Sequence, residues 1–117
     1  MRKTVYISGP YSSDPDGSVA RALAAADMVW AMGGAPIVPH LMHYWDKASK
    51  GKTYDDFMEI SLSMVSRSEA VYRTPGKSAG ADKETALAES LGIPVFAWTT
   101  EGALHEFLEE KGPRRAA

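Results

Sequence analysis

The chain has 117 residues, 44% of them hydrophobic and 24% charged, with a formal net charge of -2. That balance describes one folded domain and excludes a disordered chain, and the small charge gives no electrostatic reason to expect nucleic-acid or membrane partners. The absence of cysteine excludes disulfides, thiol nucleophiles and thiolate metal sites.

Met1-Arg2-Lys3 runs directly into a strand-like segment, with no signal-type apolar region. No apolar run approaches the ~20 residues that a bilayer span requires. A cytoplasmic location is the expectation. Thr4-Val5-Tyr6-Ile7-Ser8, β-branched and aromatic and bounded by Gly9-Pro10, predicts a buried strand. A loop from Gly9 to Gly17 leads to an Ala-rich helix over Ser18 to Met32, with Val19, Leu23, Ala26 and Trp30 along one stripe. Gly33-Gly34 ends it, and Pro36-Ile37-Val38 forms a short second strand.

His40 to Lys52 reads as irregular. Thr53-Tyr54-Asp55-Asp56 has the form of a capping box and opens a helix to about Ser66, with Phe57, Ile60, Met64 and Val65 on its apolar face. Glu69 to Arg73 is the third strand, and Thr74 to Gly80 a turn-rich loop. A helix over Ala81 to Leu91, closed by Gly92, precedes a fourth strand, Pro94 to Trp98. Thr100 to about Glu110 is the last helix, so residues 1–111 form a single domain and 112–117 a loose basic tail.

The strict alternation of strands and helices predicts the α/β class: a small three-layer doubly wound parallel sheet of four to five strands. Ligands of such sheets sit outside the carboxyl ends of the strands. That rule selects the residues after each strand. Ser8-Gly9-Pro10-Tyr11-Ser12-Ser13 offers backbone N–H groups and hydroxyls near a helix start, either a phosphate cradle or a well-capped turn. Ser78 and Gly80, with Lys77, repeat that arrangement before the third long helix, and Glu84 follows about one turn in. A carboxylate there points at a ligand or complements the helix dipole. His40, His43 and Asp46 have only rough metal-ligand spacing, so a structural role or a contact to a base is favoured over a metal, and no metal or cofactor is expected. Tyr44 and Trp45 read as a stacking surface for a planar ring or as core anchors.

Three stretches together, Val5 to Tyr11, Pro39 to Asp46 and Arg73 to Glu84, resemble the nucleoside 2-deoxyribosyltransferase-like superfamily, most nearly a group of short bacterial and phage proteins of poorly defined function. The likeness spans roughly residues 3 to 98. It implies a nucleotide N-glycosidase or base transferase whose nucleophile closes a Gly-x-x-x-Glu stretch, here Gly80 to Glu84. Tyr6 matches the tyrosine that orients that carboxylate. Ser78, six positions before it, matches the serine of members acting on nucleoside monophosphates. Ser8 to Ser12 with Gly80 are thus the candidate phosphate contacts, and His43, Trp45 and Asp46 the candidate base contacts, while by the likeness position 61 serves the base or sugar. One departure stands out: Ser61 occupies the place where the family carries an Asp that assists at the base or sugar. Homo-oligomers that complete one another's sites are common in the family, so a homodimer or higher homo-oligomer is expected. A nucleotide-binding module without turnover is the alternative function.

Overall fold

The structure is a computed structural model and describes residues 1–110; the tail expected over 112–117 lies outside the described residues. Alternation along β1 (Thr4–Ser8) organises the molecule. Successive side chains of a strand leave opposite faces of the sheet. Val5 and Ile7 therefore pack on one side with Ala22, Ala25 and Val29 of α1 (Pro15–Ala31) and Leu104 of α5 (Glu101–Glu109). Tyr6 goes to the other side, with Val65 of α3 (Tyr54–Ser66) and Ala88 of α4 (Ala79–Ser90). Helices thus cover both faces of the sheet, the expected three layers.

All strand pairs are parallel. β1 pairs with β2 (Ala35–Ile37) on one edge and β3 (Ala70–Arg73) on the other, and β3 pairs with β4 (Val95–Ala97). The order β2-β1-β3-β4 makes a four-stranded sheet, the lower end of the expected range. The chain reverses its winding direction between β1 and β3, so their carboxyl ends, Ser8 and Arg73, flank the crevice where such sheets bind ligands.

Several boundaries differ from those the sequence suggests. α1 begins at Pro15, not Ser18: Asp14 is the N-cap, accepting from the Gly17 N–H at 3.2 Å, and Pro15 takes the first helical position, where its missing N–H costs nothing. A Cβ on Gly17 would lie 2.1 Å from Asp14 Oδ2, so the glycine is there to let the cap fold back. The buried stripe of α1 is Val19, Ala22, Ala26 and Val29 with Ala25 and Ser18, while Leu23 is 41% exposed and Trp30 58%. Small residues let this helix sit close to the sheet, and the larger ones were displaced to its outer side. β2 starts one residue early and stops at Ile37. His40 to Lys52 is not irregular: a 3-10 turn, Pro39–Leu41, leads into α2 (Met42–Ala48). The capping box of α3 forms as expected, with Thr53 and Asp56 bonding each other's backbone N–H groups.

Candidate functional site

A cleft of about 540 Å³ opens at the carboxyl ends of β1 and β3. One wall is the loop after β1, Gly9 to Ser13; a second is His40, Met42, His43 and Asp46. Tyr54, Phe57, Met58 and Ser61 of α3 form the third, and the N-terminal end of α4, from Lys77 to Ala81, closes the ring. Glu84 is the carboxylate at the bottom.

The placement of Glu84 follows from strand periodicity. Tyr6 and Ser8 are two residues apart on β1 and share one face. Tyr6 Oη donates to Glu84 Oε2 at 2.5 Å, and Ser8 Oγ donates to Oε1 at 2.7 Å. Glu84 stands in the second turn of α4, because that helix begins at Ala79 rather than Ala81. Its carboxylate is therefore bonded to side chains of the sheet, beyond the first turn of the helix. Burial, with only 7% of the residue exposed, holds its carboxyl above the ordinary glutamate range. Hydrogen bonds from Tyr6, Ser8 and Ser61, and the positive charge of Arg73, pull in the opposite direction without overcoming it. The Tyr6 phenol is driven up by burial first, then by the carboxylate beside it, so it stays protonated and donating.

Neighbouring residues are spent on holding this arrangement. Arg73 donates to the carbonyls of Thr74 and Gly76 and reaches Asp82 at 3.5 Å. Gly9 is required by close approach: a Cβ there would sit 1.8 Å from Thr74 Oγ1, while the Thr74 N–H donates to Ser8 O at 2.8 Å. Ser78 is the N-cap of α4, accepting from the Ala81 N–H at 3.0 Å, which leaves its own hydroxyl proton available to a ligand. Gly80 lets the start of α4 meet α3, since a Cβ would lie 3.2 Å from Met58 Sδ and 3.4 Å from Tyr54 Oη.

The histidines do not assemble a metal site. Among the described residues no three His, Cys, Asp or Glu side chains are placed to share an ion. His43 Nδ1 is hydrogen-bonded to Tyr11 Oη at 2.5 Å, and its Nε2 is 3.3 Å from Asp16 Oδ1. Asp46 reaches Lys50 at 3.5 Å. His40 is buried and its Nδ1 has no partner; burial holds its pKa below the usual histidine value, against the pull of the Pro10 and Gly9 backbone.

Most residues singled out by sequence converge here. Pro10, Tyr11, Ser12, His43, Asp46, Ser61, Ser78, Gly80 and Glu84 all line the cleft. Ser8 has a different task from the substrate contact expected of it, being fully buried and bonded to Glu84. Trp45 is a correction: its indole faces away from this cleft into a separate shallow depression, edge-on to Phe57 and beneath the Lys52 ammonium at 4.2 Å. α2 turns it outward because His43, two residues earlier, takes the inward face. Thr74, Asp16, Tyr54 and Met58 were not anticipated. Asp16 carries no local signal beyond its place in a helix's first turn, and the others are defined only by what the fold sets against them. No helix among the described residues is long and apolar enough to cross a membrane.

Over residues 3–97 the chain matches the family model described as a domain of unknown function (DUF4406), and it belongs to that family. No curated protein matches the chain.

Proposed function

We propose that this member of the DUF4406 family cleaves the N-glycosidic bond of a (deoxy)nucleoside 5′-monophosphate through a glycosyl-enzyme intermediate on Glu84. One observation carries the reading: a carboxylate on the floor of a cleft, buried, with one oxygen bonded to Tyr6 and the other to Ser8. A carboxylate held in one orientation and partly stripped of water is suited to attack carbon. A Glu84 oxygen bonds to C1′ while the electron pair of the C1′–N bond departs with the base, through an oxocarbenium-like transition state. Water, or a second base, then resolves the ester. Tyr6 orients the nucleophile. Ser78, Gly80 and the backbone and serine hydroxyls of the loop Gly9 to Ser13 are the groups suited to a 5′-phosphate, and His43 and Asp46 those suited to the base. The resemblance to nucleoside 2-deoxyribosyltransferase-like proteins supports the same assignment. A cytoplasmic homodimer belongs to the proposal, supported by the exposed Tyr44 and Trp45.

Incubation with a panel of (deoxy)nucleoside monophosphates is expected to release free base, measured by chromatography. Glu84→Gln is expected to lower that release by at least about 10³-fold. A nucleotide-binding module is the second reading, favoured by Ser61, which offers no titratable proton where an acid is expected. Nucleotide binding without base release from any member of the panel would establish it in place of the first.

A further inference from the structure

Breaking the C1′–N bond leaves a negative charge on the departing base, and a proton delivered there lowers the barrier. The nearby carboxyls are otherwise engaged. Ser61 replaces one with a hydroxyl. Asp56 accepts from the Thr53 N–H at 2.8 Å in the capping box, and Asp82 is paired with Arg73. Asp46 lines the cleft but is paired with Lys50. A different group stands in the same cleft with a hydrogen-bonded chain behind it. Tyr11 Oη is 2.5 Å from His43 Nδ1, and His43 Nε2 is 3.3 Å from Asp16 Oδ1. His43 is buried, and its ring lies edge-on to Tyr11, whose other edge-on neighbour is His40. The contact ties the phenol to α2, the wall of the cleft that also carries Asp46.

We propose that Tyr11 is the catalytic acid for the departing base and later the base that activates water, with His43 and Asp16 as the positioning residues that hold its phenol. The assignment rests on the glycosidase reading above. The phenol proton of Tyr11 is the one transferred, and His43 Nδ1, 2.5 Å from Tyr11 Oη, with Asp16 behind it at 3.3 Å, holds the phenol in place. As the C1′–N bond breaks and its electron pair moves to the base, Tyr11 gives its proton to the base nitrogen and is left as a phenolate. Glu84 is then esterified to C1′. Water attacks C1′, the ester electron pair returns to Glu84, and the water proton passes to the Tyr11 phenolate. The base has gained a hydrogen, the sugar a hydroxyl, and the protein is unchanged.

The titratable groups facing the Tyr11–His43 pair are Asp16 from α1, Asp46 and Tyr44 from α2, and His40 from the 3-10 turn. Burial first, then Asp46 and Asp16, raises the Tyr11 phenol above its ordinary value, so it carries its proton at neutral pH. Asp16 is largely exposed, so its support of His43 is screened, and its loss is the mildest of the three.

The test compares two leaving groups. The nucleoside monophosphate that the protein cleaves fastest requires a proton on its base; the nitrophenyl glycoside of the same sugar 5′-phosphate leaves as an anion and requires none. Tyr11→Phe, which keeps the ring, is expected to lose about 10²–10³-fold in kcat/KM, which reports departure of the leaving group and not the later hydrolysis common to both substrates, on the nucleotide and less than about tenfold on the nitrophenyl substrate. His43→Gln is expected to show the same selective loss, which keeps the test alive if Tyr11→Phe fails to fold by its unfolding midpoint. Equal losses on both substrates, or none on either, overturn the assignment while leaving the glycosidase reading intact. A wild-type protein that cleaves neither substrate overturns that reading and the assignment with it.

Discussion

Glu84 owes its chemistry to an imbalance between burial and hydrogen bonding. Burial disfavours its charged form, and the Tyr6, Ser8 and Ser61 hydroxyls together with Arg73 restore part of it. Each donor is therefore a control on the pH at which the nucleophile becomes available. Ser8→Ala removes the 2.7 Å donor to Oε1 and so raises the Glu84 pKa further. The acid limb of the kcat/KM profile, which reports the free enzyme, is expected to move to higher pH than in the wild type. A limb that stays in place, or moves down, would mean that Ser8 does not tune the carboxylate. Tyr6, Ser78, Gly80 and Glu84 were each recognisable as residue types at a given spacing. The resemblance pairs Tyr6 with Glu84, but the Ser8 bond to Glu84 was not legible, because a hydrogen-bond partner 76 positions away leaves no trace in local sequence.

Elements bring these residues together through close approaches that tolerate no extra atoms. The ends of β1 and β3 meet at Gly9 and Thr74, where a Cβ would collide with Thr74 Oγ1 at 1.8 Å. Gly9→Ala is expected to destabilise the fold by about 1–3 kcal/mol, the usual cost of overpacking. Thr74→Ala in the same chain is expected to recover much of that loss, read from urea denaturation midpoints. Failure of the second change to help would place the strain elsewhere. The strands and four of the helices could be located from periodicity and turn residues. α2 could not: seven residues are too few for a helical period to show, and its cap is the preceding 3-10 turn, with no side-chain hydrogen bond to announce it. Nor could the inner stripe of α1. A helix rich in alanine presents several nearly equivalent faces, and the sheet selects the one with the smallest side chains.

The folding free energy belongs to the whole molecule, and Glu84 lowers it at neutral pH. Its pKa is higher in the folded chain than in the unfolded one, so the folded state holds the proton more tightly. The associated stability is fully present below the ordinary carboxylate range and is lost as pH rises through the raised value. Relative to the wild type, Glu84→Gln is expected to gain stability as the pH rises from below that range to neutrality, by denaturation midpoint. The altered hydrogen bonds of the amide contribute equally at each pH and cancel in the trend. A relative loss of stability with rising pH would reverse the inferred shift.

At the same scale, the two kinds of information divide cleanly. Composition, strand alternation and the helices between strands determined the α/β class, the parallel sheet and the end of it where a ligand site belongs. These depend on local periodicity and on the handedness of crossovers, and both are written in consecutive residues. Tertiary structure alone decided that β1 lies between β2 and β3, that Ser8 joins Tyr6 at Glu84, that Trp45 faces away from the cleft and that Tyr11 meets His43. Each of those depends on which distant segments share a face once the sheet has assembled, a relation that the order of residues along the chain does not contain.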